Sequence, residues 1–408
     1  MSRKIGVVHL WDLPEDKIFV KLPSHIQKAM VEKSLEFFKN EYDFAKELGS
    51  NQATINDFKN SRLKSTNLKL VKKMSLFLCK KELREFGLEN LERQLELIKG
   101  QTGFGIENPK FPMNFNSKEG SQIISAFFFD GGIREDKRPF YVNNEKCMID
   151  RTISNLNLVV GNVGYTEHIN RGTIFVDFSH IFGIILSDGL EMSVGKRVFT
   201  NPQIPEFIIN GSKEVKRMFL QQAFDDEGTI KMGLKGRGKR VKLTQNNCKD
   251  EQALRLNQIK EILENFGVRV TGPFHEDIIN NKRGYTSYRW AIEITNQTDI
   301  SMFAKEVNFG LDAKKQKLQE LLNSYVLPAR LKNGGIYIEL IKTCKELRVQ
   351  NQKITNKNIA KQLKKVESYT RGLTLKMLKE GKLRIAKEKV NLGGREGATE
   401  REFNLIIY

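Results

Sequence analysis

Two acidic residues stand in matching surroundings 97 positions apart. Asp130 lies in the run IISAFFFDGGI (residues 123–133) and Glu227 in LQQAFDDEGTI (residues 220–230). Superposing the runs sets Ala126 on Ala223, Phe127 on Phe224, Gly131 on Gly228 and Ile133 on Ile230, with Asp130 falling on Glu227. A pair of carboxylates offers hard oxygen donors to a divalent cation, and such a cation supports phosphodiester hydrolysis by orienting and activating water. One copy alone reads as an ordinary core helix closed at acid-Gly. Two copies with matching downstream order point to a shared metal site.

The elements that must deliver these acids are two helices. Asn116 or Ser117 can N-cap the first and Ser212 the second, and Gly131 and Gly228 are expected to close them in the left-handed conformation. Each acid then sits on a last turn, where the helix dipole opposes a negative side chain by about 0.3–1 kcal/mol, so a cation is expected nearby. Helices packed through the small residues Ala126 and Ala223 would bring both carboxylates together. They would repel unless a divalent metal lay between them.

Composition narrows the partner. The 408 residues carry 68 Lys and Arg against 49 Asp and Glu, a formal charge of +19, and 39% hydrophobic residues. This describes a globular protein of two to four domains with a polyanionic partner, and the absence of a lipidation signal or amphipathic anchor favours nucleic acid over membrane. No apolar run reaches transmembrane length and the first residues lack a signal-peptide core, so a cytoplasmic location is expected. Cys79, Cys147, Cys248 and Cys344 form no CxxC pair, and the five histidines are scattered, which speaks against a zinc ribbon or a disulfide framework.

Along the chain, residues 1–105 read as a helical domain. Residues 42–62, YDFAKELGSNQATINDFKNSR, have the apolar spacing of a helix-turn-helix around Gly49, with Gln52, Thr54, Asn56 and Lys59 facing a major groove. An ordinary helical hairpin has the same spacing. A further helix is expected over 67–88. The Gly- and Pro-containing stretch 100–116 reads as a boundary, with 106–116 as the linker. Within 117–327 each half reads as acid-ended helix, hairpin, helix, strands, helix. On the strand 240–244, Arg240, Lys242 and Thr244 alternate with Val241 and Leu243, giving one basic and one apolar face. Arg134, Lys231, Lys235 and Arg237 join them as candidate DNA contacts. Residues 335–408 resemble a winged helix-turn-helix, with Arg371 on its recognition helix; a solvated charged helix pair is the alternative.

The duplicated runs resemble the LAGLIDADG homing endonucleases in their monomeric, two-motif, archaeal-like, freestanding form. LQQAFDDEG is similar to the nine-residue motif with Glu227 at its acid position. FFFDGGI keeps Asp130 and Gly131 but puts Phe128 and Phe129 where polar or small residues are commoner. Residues 204–228 and 301–322 resemble the family's approach to its second helix and its closing segment. The resemblance implies an α+β fold: a pseudo-twofold duplicated αββαββα domain (halves 117–205 and 206–327) forming a saddle of antiparallel sheets over duplex DNA. It implies a site-specific double-strand DNA endonuclease using Mg²⁺ or Mn²⁺ at Asp130 and Glu227, with a lysine near each acid. Lys196 and Lys314 match best, and Arg197 and Lys315 are close enough to replace them. A monomer is implied, with double-stranded DNA as partner. A DNA-binding transcriptional regulator on the same scaffold, or a maturase acting on intron RNA, stay open as other readings.

Overall fold

Asparagine caps start three of the amino-terminal helices, and residues in the left-handed conformation follow their ends. The computed structural model describes residues 5–233, 238–280, 284–325, 335–379, 381, 383–390 and 399–405. The chain divides into two units, Met1–Leu321 and Leu322–Tyr408. The first opens with strands β1 (Val7–Val8) and β2 (Phe19–Lys21) and helix α1 (Ser24–Leu35). Asn40 caps α2 (Glu41–Leu48) by accepting the Asp43 N–H at 2.9 Å, Gly49 ends it at φ +65°, and Asn51 starts α3 (Gln52–Lys59) by accepting the Thr54 N–H at 2.7 Å. Phe44, Ala45, Leu48, Ile55 and Phe58 are all buried, as their spacing requires. Strand β3 (Thr66–Asn67) leads into α4 (Leu68–Lys80), which ends well before residue 88 because the chain reverses through Glu82 at φ +68°. Helix α5 (Leu88–Glu92) and strands β4 (Leu97–Lys99), β5 (Gly105–Glu107) and β6 (Met113–Asn114) follow.

Two copies of one element order come next. The first copy runs α6 (Lys118–Phe128), β7 (Gly132–Ile133), β8 (Pro139–Asn143), α7 (Lys146–Val159), β9 (Asn162–Val163), β10 (Tyr165–Asn170), β11 (Thr173–Phe178) and α8 (His180–Ile184). Short helices α9 (Arg197–Thr200) and α10 (Glu206–Ile209) connect it to the second copy. That copy runs α11 (Lys213–Glu227), β12 (Gly228–Lys231), β13 (Arg240–Asn247), α12 (Leu254–Asn265), β14 (Thr271–Asn280), β15 (Thr286–Ile294), α13 (Gln297–Glu306) and α14 (Asp312–Asn323). Each copy builds a four-stranded antiparallel sheet of the same order, β7-β8-β11-β10 and β12-β13-β15-β14.

Ser117 caps α6 through the Gly120 N–H at 3.0 Å and Ser212 caps α11 through the Val215 N–H at 3.3 Å. The two helices lie against each other. Ser125 Oγ donates to the Phe219 carbonyl at 2.8 Å, the rings of Phe128 and Phe129 pack on Phe219, and Ala126 and Ala223 are buried. Helix α6 stops at Phe128, so Asp130 sits just past its end, whereas Glu227 is the last residue of α11. The closing glycines differ from expectation. Gly228 is extended (φ −73°, ψ 137°), and neither it nor Gly131 takes a positive φ. Both are needed for space: a Cβ on Gly131 would meet the Phe140 carbonyl oxygen at 2.6 Å and the Ala126 oxygen at 2.9 Å, and one on Gly228 would run into the Phe224 carbonyl. The strand leaving each helix folds back over the helix end.

Residues 106–116, expected as a linker, are woven into the first unit. Strand β5 pairs with β9 of the first copy in a sheet of order β3-β2-β4-β5-β9, and β6 pairs with β1. Ile106, Met113 and Phe115 are fully buried. Strands of two or three residues carry no readable period, so composition alone suggested a boundary. The amino-terminal region and the duplicated part thus belong to one unit.

The second unit holds α15 (Gly335–Val349), α16 (Asn356–Gln362), α17 (Glu367–Lys379) and the hairpin β16 (Leu383–Val390) and β17 (Thr399–Leu405). Thr355 caps α16 through the Asn358 N–H at 3.2 Å, and Gly381 turns the chain at φ +69°. Leu340, Cys344, Leu347, Ile354, Ile359, Met377, Leu383 and Phe403 form its core. Among the described residues no helix is long and apolar enough to cross a membrane.

A fragment of residues 1–325 should unfold in one cooperative transition. Deleting residues 1–116 from it strips β9 of its partner and uncovers apolar core, so the shortened fragment should lose cooperative melting by circular dichroism. A sharp, unchanged transition after that deletion would show that the two regions fold separately.

Candidate active site

Three acids end α11 in succession, and a helix turns about 100° per residue, so Asp225, Asp226 and Glu227 face three different surroundings. Asp225 is structural. Its carboxylate pairs with Arg151 at 2.7 Å and accepts the Gly310 and Leu311 N–H groups at 2.9 and 3.0 Å, tying α11 to α7 and to the approach of α14. Asp226 accepts from the Tyr141 hydroxyl at 2.8 Å and from Gln222 Nε2 at 3.1 Å. Burial, then the charge of Asp130, holds its carboxyl well above the ordinary carboxylate range, and burial beside Asp226 keeps the Tyr141 hydroxyl protonated.

Asn143 joins this group to Asp130. Its Nδ2 donates to Asp130 Oδ2 at 3.2 Å and lies 3.4 Å from Asp226 Oδ1. Asp130 is pushed up to about 7, first by burial and then by the negative charge of Glu227, with Arg197 and Lys314 pulling the other way. Asp130 therefore feels the charge of Glu227 from a partly desolvated position, and among the described residues neither acid forms a salt bridge.

The cation expected at the helix end is Lys314. Its ammonium donates to the Phe224 and Gly228 carbonyls at 3.0 and 2.9 Å and to that of Asp225, capping the last turn of α11. Burial lowers its pKa while Asp225, Asp226, Asp130 and Glu227 raise it. Lys315 instead faces out and pairs with Asp312 at 3.0 Å. In the connection between the copies, Arg197 rather than Lys196 is the cation whose charge couples to the acids, to Glu227 most strongly. Burial lowers the Arg197 pKa and Glu227, Asp130 and Asp226 oppose that effect, whereas Lys196 is exposed with its ammonium over the Phe199 ring at 5.7 Å. A second arginine is here that the sequence did not single out: Arg255, lowered to about 9 by burial and by Arg197 beside it, against the pull of Glu227.

Two clefts open from the acids. One of about 800 Å³ is lined by Glu227, Lys196, Arg197, Gln245, Arg255 and Arg134, among others. The other, of about 400 Å³, is lined by Asp130, Asn143, Asp225, Asp226, Lys314 and their neighbours. The carboxylate oxygens suit a hard divalent cation. No group of three or more His, Cys, Asp or Glu is assembled to hold one among the described residues, so such an ion would complete its shell with phosphate oxygens and water, as Mg²⁺ commonly does.

The expected DNA contacts are partly spent within the protein. Lys242 is 5% exposed and pairs with Glu276 of β14, and Arg240 pairs with Glu293 of β15 at 2.9 Å. Alternation separated them from Val241 and Leu243 but could not show the acids on adjacent strands, and Lys242 is buried together with its apolar neighbours. Arg134 pairs with Asp177 at 2.5 Å and stacks over Phe140; Lys59 reaches Glu41 at 3.3 Å, joining α3 to α2. Thr244 and Thr54 are half-buried, while Gln52, Asn56 and Lys231 are exposed. Arg371 is exposed beside Glu367 at 3.4 Å. Lys235 and Arg237 lie outside the described residues.

No family model matches the chain. Over 220 residues it is 23% identical to the A-type subunit of DNA gyrase from Mycobacterium gordonae, a match covering 52% of this chain and 36% of that protein, so the chain spans about a third of the length of this curated relative. Among solved structures it is similar to the homing endonuclease I-DmoI in complex with DNA and Ca (TM-score 0.31, 15% identity, 48% of this chain and 91% of that one). It is also similar to the N-terminal LAGLIDADG domain of DUF199/WhiA (TM-score 0.31, 11% identity, 52% and 90%). These scores are too low to bear on function, which rests on the chain's own residues.

The raised pKa of Asp130 has a signed consequence in metal-free buffer. An aspartate in the unfolded chain titrates near 4, so between roughly pH 4 and 7 the folded protein holds a proton that the unfolded one has lost, and stability falls as pH rises through that window. Asp130→Asn mimics the protonated form. It should raise the melting temperature at pH 8 by several degrees, for a relief on the order of 2–4 kcal/mol, and change it little at pH 4. An equal shift at both pH values would contradict this.

Proposed function

We propose that this protein is a metal-dependent endonuclease that cuts both strands of a long, asymmetric duplex DNA site, acting as a monomer. The observation that carries the reading is that the two packed repeat helices bring Asp130 and Glu227 to their ends, each acid lining its own cleft, with burial and then the charge of Glu227 raising the pKa of Asp130. A structural acid pair would be neutralised inside the protein, as Asp225 is by Arg151. Among the described residues neither Asp130 nor Glu227 forms an ion pair, and Asp130 accepts an amide hydrogen bond from Asn143.

In this reading Asp130 and Glu227 hold Mg²⁺ or Mn²⁺, which when bound supplies activation of water and stabilisation of the leaving oxygen. The residues of the chain set the stage. Asn143 orients Asp130, Lys314 fixes the end of α11 and so the direction of Glu227, and Arg197 brings positive charge to the phosphate. The +19 charge supplies non-specific attraction to the polyanion. The α2–α3 pair, with Gln52 and Asn56 exposed, and the α16–α17 pair, with Arg371 exposed, are proposed as helix-turn-helix and winged-helix contacts that lengthen the site.

Purified protein incubated in Mg²⁺ with a plasmid library of random inserts should yield linear products with a common end sequence, and none in chelator. Asp130→Asn or Glu227→Gln should reduce double-strand cleavage by roughly 10²–10³-fold or more while leaving affinity for duplex DNA nearly unchanged. Intact DNA binding without any metal-dependent product would instead mark a binding protein.

A further inference from the structure

The two clefts differ in what they offer a phosphate. In the larger one, Arg255 is 2% exposed and Gln245 5% exposed. Arg255 donates through Nε to Gln245 Oε1 at 2.5 Å and through Nη2 to the Asn246 carbonyl at 3.2 Å. Among the described residues the rest has no hydrogen-bond partner: Nη1 of Arg255, Nη1 of Arg197 and Nε2 of Gln245 are all buried donors without an acceptor. These groups can only donate. A buried unsatisfied donor is unfavourable, and two neighbouring guanidinium groups repel, so the arrangement calls for an oxygen-rich anion. Guanidinium forks match phosphate oxygens well.

The smaller cleft is the reverse. Its cation, Lys314, is engaged by three carbonyls, and its lining brings Asp225 and Asp226 beside Asp130. Among the described residues, no side chain lining it carries a buried donor without a partner. The register explains the asymmetry. Gly131 and Gly228 are equivalent in the repeat, and the pairs Gly132↔Phe140 and Thr229↔Lys242 then place Asn143 of β8 where β13 has Gln245. Asn143 is turned to Asp130 and has its acceptors, while Gln245 is held by Arg255 and points an amide at nothing.

We propose that Arg197, Arg255 and Gln245 form a phosphodiester seat beside Glu227 with no equal beside Asp130, so that the DNA strand lying over Glu227 is gripped and cut first. The seat stands on its own geometry, and the order of cutting rests on the endonuclease reading above. Cleavage then passes through a nicked intermediate broken on one defined strand.

Inorganic phosphate tests the seat without DNA. Against chloride at equal ionic strength it should raise the melting temperature of the full chain by a few degrees, and Arg197→Met and Gln245→Leu should each remove most of that rise. Arg197 lies nearer the surface, so its variant keeps the test open should a change at Arg255 prevent folding. For the order, strand-resolved mapping of early products from a supercoiled plasmid carrying the cleaved site should show one strand nicked at least about tenfold faster. Asp130→Asn should still give nicked circles, and Arg197→Met should slow the first nick selectively. No phosphate-specific stabilisation in the wild type, or equal rates on the two strands, would overturn the proposal. Phosphate stabilisation lost in the variants, with plasmid uncut by the wild type, would uphold the seat and reject the nuclease reading and the strand order with it.

Discussion

Two carboxylates held near each other, at the negative ends of packed helices and partly out of water, are opposed by three unfavourable terms at once: mutual repulsion, the helix dipole and desolvation. Much of the rest of the first unit answers that arrangement. Lys314, from the far end of the second copy, places its ammonium on the last carbonyls of α11 and blunts the dipole there. Arg197, from the connection between the copies, adds a positive charge that couples to both acids. Asn143 bonds to Asp130, and Tyr141 and Gln222 keep the neighbouring Asp226 hydrogen-bonded. The compensation is incomplete: burial, and then the charge of Glu227, still raise the pKa of Asp130.

The helices also show how approach is controlled. Ser125 lets α6 touch the backbone of α11 through a hydroxyl, and the glycines after each acid let the next strand double back across the helix end. A side chain at either glycine would push the strand away and turn the acid with it. The identical strand order in the two sheets indicates that the same solution was used twice, while the side chains around it diverged.

Much of this was legible in the sequence because it is local. The repeat, the Ser117 and Ser212 caps, the Gly49 turn and the alternation on β13 are set by neighbours within a few residues. What was missed is non-local. Lys242 and Arg240 read as a basic face because Glu276 and Glu293 come from strands more than thirty residues later. Asp226 drew no reading of its own from the sequence, because its partner Tyr141 is 85 residues away. Arg255 stands in no motif, and only its burial against Gln245 sets it apart. The glycines were read through backbone conformation when the operative constraint was contact with Phe140 and Phe224.

The pairing of β5 with β9 bears on how the polypeptide matures. As the chain leaves the ribosome, the amino-terminal sheet has an open edge until residues 162 and 163 emerge, so the first hundred residues wait for the first repeat before their backbone is closed. By then α6 is also out, with the face that will meet α11 still bare. Until the second repeat is made, the part of α6 that packs on Phe219 has no such partner, so its burial waits for the later-made half of the unit.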